Sequence, residues 1–560
     1  MKRTLHFVFG LAAVALATRV SAQTRYIDEV FTTSQVTVTP DVTFGQNIDF
    51  LFSDFSNPSL FGPEVVQLQT LVSTQQPIPA EFFNPSDTST VLKVSNLRMD
   101  VYQPDQSIDA ETNRPLVVYV HTGNALPPPI NGSPNGTRKD STCVEICTRM
   151  ARRGYVAVSM SYRGGWNPLA ATEQQRRGQL LNAIYRAIHD VRQCVRTVKA
   201  DAATYEIDPT KIILIGEGTG GYITLAATTL DDEAELFVEK FRPDPFDPSI
   251  SYIDTTKVGN VEGFNGQLTL YRPNGQNSDI QFCVNMGGAL ADTTWLEAGD
   301  APMVAFHTVF DPFAPFTYGI VIVPTTGGPV VDVPGSNYFM PLVNQLGNNA
   351  SFATLPGGDV WTDVARARYG TTLTHTGSAV AINTGGEGLY PIVTADWPSV
   401  NPQFMEEASP WQWWDPNSAI AQQPSPVPGV TVGQASQASN PNFSAAKGRA
   451  MIDTIMGYAN PRIVCALDLG PCSLVSISES DPISMGVELF PNPAATTLTI
   501  ISTEADMLGF ELYDINGRRV RAENINARRF TMEREGLAAG SYFLQLTFDK
   551  GNVVRKVVLD

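Results

Sequence analysis

Residues 211–230, KIILIGEGTGGYITLAATTL, read as an apolar strand, a glycine-rich turn and a helix. That is a frame in which chains expose a nucleophile or cradle a phosphate. Small residues at Gly216 and Gly220 let the backbone turn sharply and lift the side chain between them above a sheet. The lifted position is Gly218, which has no nucleophile to offer, and Thr219, one step later, is expected to point along the helix. The same residues also satisfy a GxGxxG spacing as Gly216, Gly218 and Gly221. A dinucleotide site would need a second strand after the helix, ending in an acid about 20 residues on. Instead Asp231 and Asp232 end the helix and are followed by EAELFVEKF, which reads as helical. No cofactor is expected, and no Cys or His pair has the spacing of a metal site.

Few bases are available. Of five histidines, His6 lies in the N-terminal leader, His189 sits in the helical run HDVRQCVR, and His375 falls in a Thr-rich loop. The acids Glu217, Asp311 and Asp359 offer carboxylates for acid/base work. Their plainer reading is solvated surface, and for Asp311 a turn cap.

The elements that must position these residues are an α/β arrangement. RPLVVYVHTG, GYVAVSMSYRG, TKIILIGEG, IQFCVNMGG and DAPMVAFHTV are near-continuous apolar runs, as expected for parallel strands buried on both faces. Between and after them, GQLLNAIYRAIHDVRQCVRTVKADA and NFSAAKGRAMIDTIMGYA repeat apolar residues at helical spacing. Residues 23–89 are read as a β-rich segment of leading antiparallel strands, and 90–470 as the main domain. Pro-, Asp- and Asn-rich stretches near 231–277 and 371–440, the second with a WQWW cluster, read as insertions at the sheet edge.

This pattern resembles the α/β-hydrolases of carboxylesterase type. GEGTGG looks like their GESAGG elbow with glycine at the serine position, Gly218. RPLVVYVHTGN resembles the strand and HGG loop of the oxyanion hole, which makes Thr122 and Gly123, with Thr219, the candidate donors; Thr122 replaces the usual glycine. RGYVAVSMSYRGGWNP resembles the next strand. APMVAFHTVFDPFAP is similar to the strand and loop of the catalytic acid, which puts Asp311 in that role and His307 in a structural one. SFATLPGGDVW is read as the last strand and its turn, with Asp359 where the family carries the histidine base. His375 remains an alternative base. The resemblance implies an esterase scaffold without its serine and histidine, a pseudo-hydrolase with a cleft for an unknown small molecule or surface partner. An active carboxylic ester hydrolase of non-standard site, or a structural surface protein, are the rivals.

A polar stretch, 471–484, separates this domain from a small all-β sandwich over 485–560. Its FPNPA, LYDINGR and LAAGSYFL motifs closely resemble the C-terminal sorting domain of type IX secretion cargo in Bacteroidetes. The resemblance implies that the type IX machinery is a partner and that the protein is secreted or displayed at the cell surface. Residues 1–22 fit a Sec signal peptide: Lys2 and Arg3, an apolar run from Leu5 to Ala17, and Val-Ser-Ala before Gln23. No transmembrane segment is expected, since no run approaches the ~20 apolar residues of a span. A net charge of -18 speaks against a nucleic-acid partner. Export permits disulfides. Cys465 and Cys472 bracket a short Pro/Gly loop and either bond or stay as thiols; Cys143 and Cys147, four apart on a helix, each have Cys194 as a candidate partner.

Overall fold

The computed structural model describes residues 25–323, 326–355, 359–394, 407–425, 427–470, 472, 487–492, 494–503, 505–514, 519–549 and 551–559. Residues 1–22, read as a signal peptide, and most of the 471–484 linker lie outside them.

The strands in chain order are β1 (Val36–Asp49), β2 (Lys93–Pro104), β3 (Arg114–Val120), β4 (Val156–Met160), β5 (Ile207–Glu217), β6 (Phe282–Met286) and β7 (Met303–Thr308). The hairpins β8 (Tyr318–Ile322)/β9 (Pro329–Pro334) and β10 (Thr372–His375)/β11 (Ser378–Ala381) follow, then β12 (Leu389–Ile392). One eight-stranded sheet runs β1-β2-β4-β3-β5-β6-β7-β12. β2 runs antiparallel to both its neighbours, β1 and β4, and every pair from β4 to β12 is parallel.

Because side chains alternate across a strand, each apolar strand feeds two cores. Val117, Tyr119, Ile213 and Ile215 pack with helices Ser141–Arg152 and Ala445–Ala466 on one face. Leu116, Val118, Ile212 and Leu214 pack with helices Glu173–Ala200 and Thr219–Thr229 on the other. β3, β4, β6 and β7 are buried along their whole length, which explains their unbroken hydrophobicity. This is the α/β-hydrolase fold.

Three expectations need correction. Residues 23–89 hold not only a strand but a helix, Pro58–Ser73, started by Asn57, whose side chain accepts from the Ser59 amide. Pro58 at its first turn is an N-terminal signal that reads as a turn when seen alone. EAELFVEKF forms two 3-10 turns, Glu233–Phe237 and Glu239–Phe241, not a helix. The segment 351–361 is no strand: it is a 3-10 turn, Ala350–Thr354, and the start of helix Val360–Arg368, with residues 356–358 outside the described set. The last parallel strand is β12, inside what was read as an insertion. At four residues, with Pro391 among them, its sequence LYPI is too short to show a period.

The C-terminal part forms β13 (Val487–Phe490), β14 (Thr497–Ser502), β15 (Met507–Asp514), β16 (Arg519–Ala527), β17 (Arg529–Glu533), β18 (Gly540–Phe548) and β19 (Gly551–Leu559). They make antiparallel sheets of three and four strands over a core drawn wholly from residues 487–559. The Asn516-Gly517 turn lies outside the described residues.

Candidate functional site

β5 ends and helix Thr219–Thr229 begins at Gly218, whose φ of 52° and ψ of -113° mark a strained turn that glycine adopts at low cost. The turn is tight on both sides. A Cβ on Gly216 would stand 2.2 Å from the Gly220 carbonyl oxygen, and one on Gly220 would stand 2.0 Å from that of Val120. The Gly218 amide donates to the Met286 carbonyl at 2.7 Å, which ties the turn to the end of β6.

The space above the turn is filled. A Cβ on Gly218 would lie 2.5 Å from Thr122 Oγ1 and 3.3 Å from Thr122 Cβ. The side chain missing at position 218 and the one added at position 122 are thus complementary, a relation that sequence reading of either residue alone could not find. The Asn124 amide donates to Thr219 Oγ1 at 2.8 Å. Thr219 is therefore occupied in holding the loop after β3, where Gly123 has a φ of 125°.

Asp311 follows β7, its side chain buried. Its Oδ1 accepts from the amides of Phe313 and Ala314 at 2.8 and 2.9 Å, so it caps its own turn. Burial pushes its pKa up to about 7 against those two amides, and burial, with the Asp311 charge beside it, raises the Tyr222 phenol on the first turns of the elbow helix. His307 is buried: Nδ1 meets Ser336 Oγ at 3.0 Å, and Nε2 lies 3.2 Å from the Ala314 carbonyl oxygen and 3.9 Å from Asp311 Oδ2, with burial lowering its pKa to about 4. His121, stacked on Tyr162 at 4.4 Å, is likewise held near 4 by burial. His189 is buried in its helix, edge-on to Tyr185. His375 ends β10 with its ring 5.4 Å from that of Phe310, the residue before Asp311.

Asp359 does not follow the last strand. It is the N-cap of helix Val360–Arg368, accepting from the Thr362 amide at 2.8 Å. By strand order, the segment after the final parallel strand begins at Val393, and residues 393–407 contain no histidine. Residues 395–406 of that segment lie outside the described set.

Glu217 is not solvated surface. Fully buried, it accepts from Tyr119 Oη at 2.8 Å, Trp411 Nε1 at 3.1 Å and Gln412 Nε2. Trp411, from the WQWW cluster, sits 3.4 Å from where a Cβ on Gly287 would be, so the cluster packs over the ends of β5 and β6. Alternation along β5 gave the only sequence signal for this burial. Desolvation raises the Glu217 pKa to about 7, above the ~4.3 of an unfolded glutamate. The folded protein thus binds this proton more tightly than the unfolded chain, and the stabilisation is complete below about pH 4.3 and lost as pH rises through about 7. Glu217→Gln keeps the shape of the protonated acid. Relative to wild type it is expected to be neutral near pH 4 and more stable at pH 8 by up to about 3 kcal/mol. Melting curves across that range check this, and a constant difference would refute it.

On the other side of the elbow lies an apolar cavity of about 110 Å³, lined by Asn124, Trp166, Ile184, Thr219, Tyr222 and Val331 among others. Among the described residues no His, Cys, Asp and Glu group could hold a metal ion, and no helix is long and apolar enough to cross a membrane. Cys465 and Cys472 are joined as a disulfide, whereas Cys143, Cys147 and Cys194 are buried thiols.

Comparison with known proteins finds two families. BD-FAE matches residues 99–317, and the secretion system C-terminal sorting domain matches residues 488–560. No curated protein matches the chain. Among solved structures, the propionate-bound esterase 2 of Thermogutta terrifontis is 18% identical over 40% of this chain and 70% of its own, with a TM-score of 0.26. The cyclosarin-phosphonylated form of that enzyme is 17% identical over 40% and 69%, with a TM-score of 0.26. From its strand order, its elbow and the two matched segments, the chain is an esterase-like α/β-hydrolase domain followed by a type IX secretion sorting domain, and hence a secreted or cell-surface protein.

Proposed function

We propose that the exported domain is a pseudo-hydrolase that binds a small apolar ligand beside a disarmed elbow. The observation that carries this reading is the pair Gly218 and Thr122: the nucleophile position has no side chain, and the threonine stands in the room a serine would need. With no histidine in the segment 393–407 after the last strand, neither nucleophile nor base for acyl transfer is left on this reading. Asp311 keeps the acid position as a capped turn.

The cavity next to Asn124 and Thr219 is the retained feature. Its walls are aliphatic and aromatic, with few polar groups, as small-molecule sites are. Its size suits a benzene-sized or short aliphatic group. Saturating the protein with 1-hexanol or indole at about 100 times Kd is expected to stabilise it by roughly 2.7 kcal/mol. Ala289→Leu, which fills the cavity wall, should abolish the shift in melting temperature. No shift with any apolar probe, or an equal shift in the filled variant, would favour a structural surface protein instead.

A further inference from the structure

A second pocket, of about 530 Å³, opens against helix Glu173–Ala200 and is lined by Phe50, Gly178, Gln179, Asn182, Arg186 and Tyr252 among others. Its volume falls within the range of small-molecule sites. Its chemistry is opposite to that of the apolar cavity.

Arg186 is the feature without an internal explanation. It is 4% exposed and lies 4.0 Å over the Phe50 ring, yet no carboxylate among the described residues forms an ion pair with it. The nearest acid on its helix, Asp190, is taken by Arg163 at 2.9 Å and by Tyr271 Oη at 2.6 Å. Arg186 spends Nη2 on the carbonyls of Gly165 and Gly164, at 2.8 and 3.4 Å, and Nε is buried without an acceptor. A buried charge is normally paired, because its desolvation otherwise goes uncompensated. Burial and the neighbouring Arg163 depress its pKa to about 9, outweighing the attraction of Asp190 and Asp49, neither of which reaches its guanidinium as an ion pair.

The surroundings say what kind of anion would fit. Gln179 uses Oε1 to accept from the Asn167 amide, leaving its Nε2 as an exposed donor. Asn182 donates to the Tyr252 and Gly178 carbonyls at 2.7 and 2.9 Å, leaving its Oδ1 to accept. Tyr252 lies against the helix because Gly178 has no side chain; a Cβ there would be 2.5 Å from the ring. At the rim, Lys257 is neutralised by Asp254 at 3.0 Å, which leaves Arg186 as the lining cation with no carboxylate bonded to it. We propose that this pocket binds a small hydroxylated carboxylate, its carboxylate on the Arg186 guanidinium and its hydroxyls on the Gln179 and Asn182 amides.

The test is calorimetric titration of the mature protein at low ionic strength with D-gluconate, with acetate, D-glucose and inorganic phosphate as separate arms. Gluconate is expected to bind saturably and more tightly than acetate, and glucose not at all. Arg186→Met, which keeps the stem packed on Phe50, should weaken gluconate at least about tenfold, the usual worth of a charge-assisted pair. Gln179→Glu retains the acceptor for Asn167 and places a negative charge at the mouth. It should weaken gluconate in the same direction, and it decides the matter if Arg186→Met does not fold. Absence of saturable gluconate binding by wild type, glucose binding as tight as gluconate, or unchanged affinity in Gln179→Glu would overturn the proposal. Phosphate binding as tight as gluconate would overturn the choice of a hydroxy acid.

Discussion

Wild-type protein is expected to hydrolyse short acyl esters no faster than a heat-denatured control. Losing a serine or histidine from a working triad costs about 10⁶ in turnover, and what survives is an advantage of roughly 10³ to 10⁴ over water. Here even that remainder is reduced, because Thr122 fills the space above Gly218. Gly218→Ser should not restore activity. It should instead destabilise the domain by about 1–3 kcal/mol, the usual cost of overpacking, since its Cβ would meet Thr122 Oγ1 at 2.5 Å. The double variant Gly218→Ser with Thr122→Gly should recover most of that stability, a coupling that a thermodynamic cycle measures directly. It should still lack turnover, for want of a base. Asp359→His added to it should not help, because Asp359 is engaged as a helix cap. Wild-type turnover that Thr122→Val or His375→Ala removes would reverse the reading. The first result would make Thr122 a displaced nucleophile, and the second would make His375 its base.

Deletion of the residues after Ser484 should trap the protein inside the outer membrane while leaving the esterase-like domain folded. The core of the C-terminal sheets is built wholly from their own side chains, among them Leu498, Ile500, Phe510, Leu512, Leu544 and Val553. The two large clusters of the main domain contain none of these. Among the described residues, removing the tail therefore takes nothing from these two clusters. Cell fractionation should find nearly all of the truncated protein in the periplasm, with the melting transition of the main domain unchanged. Truncated protein in the medium or at the surface would show that export is read from another segment.

The parallel sheet and the elbow were legible because both leave strong local marks. Strands buried on both faces are unbroken apolar runs, and a turn that admits no Cβ must be glycine on either side. What escaped depends on partners far along the chain. Helix Pro58–Ser73 was hidden because Pro58 and Pro63 read as turn formers, although Pro58 begins the helix. β12 was hidden by its shortness, and with it the true place of the turn after the last strand. Glu217 looked like surface because a carboxylate usually is; its donors Trp411 and Gln412 stand 194 and 195 positions away. Likewise Gly218 and Thr122 each look like a plain loss or gain until they are seen in contact.

That long reach between Glu217 and the Trp411 segment, together with the closing helix Ala445–Ala466, has a temporal meaning. The central cluster joins residues of β3 and β5 to Ile452, Ile455 and Ile463, so it cannot close until nearly the whole main domain has been made. Chains emerge N-terminus first, and contacts of such separation form late. The sorting segment, from residue 488 onward, comes out only after that point. A chain interrupted before Ile452 therefore lacks both part of that core and the matched sorting segment.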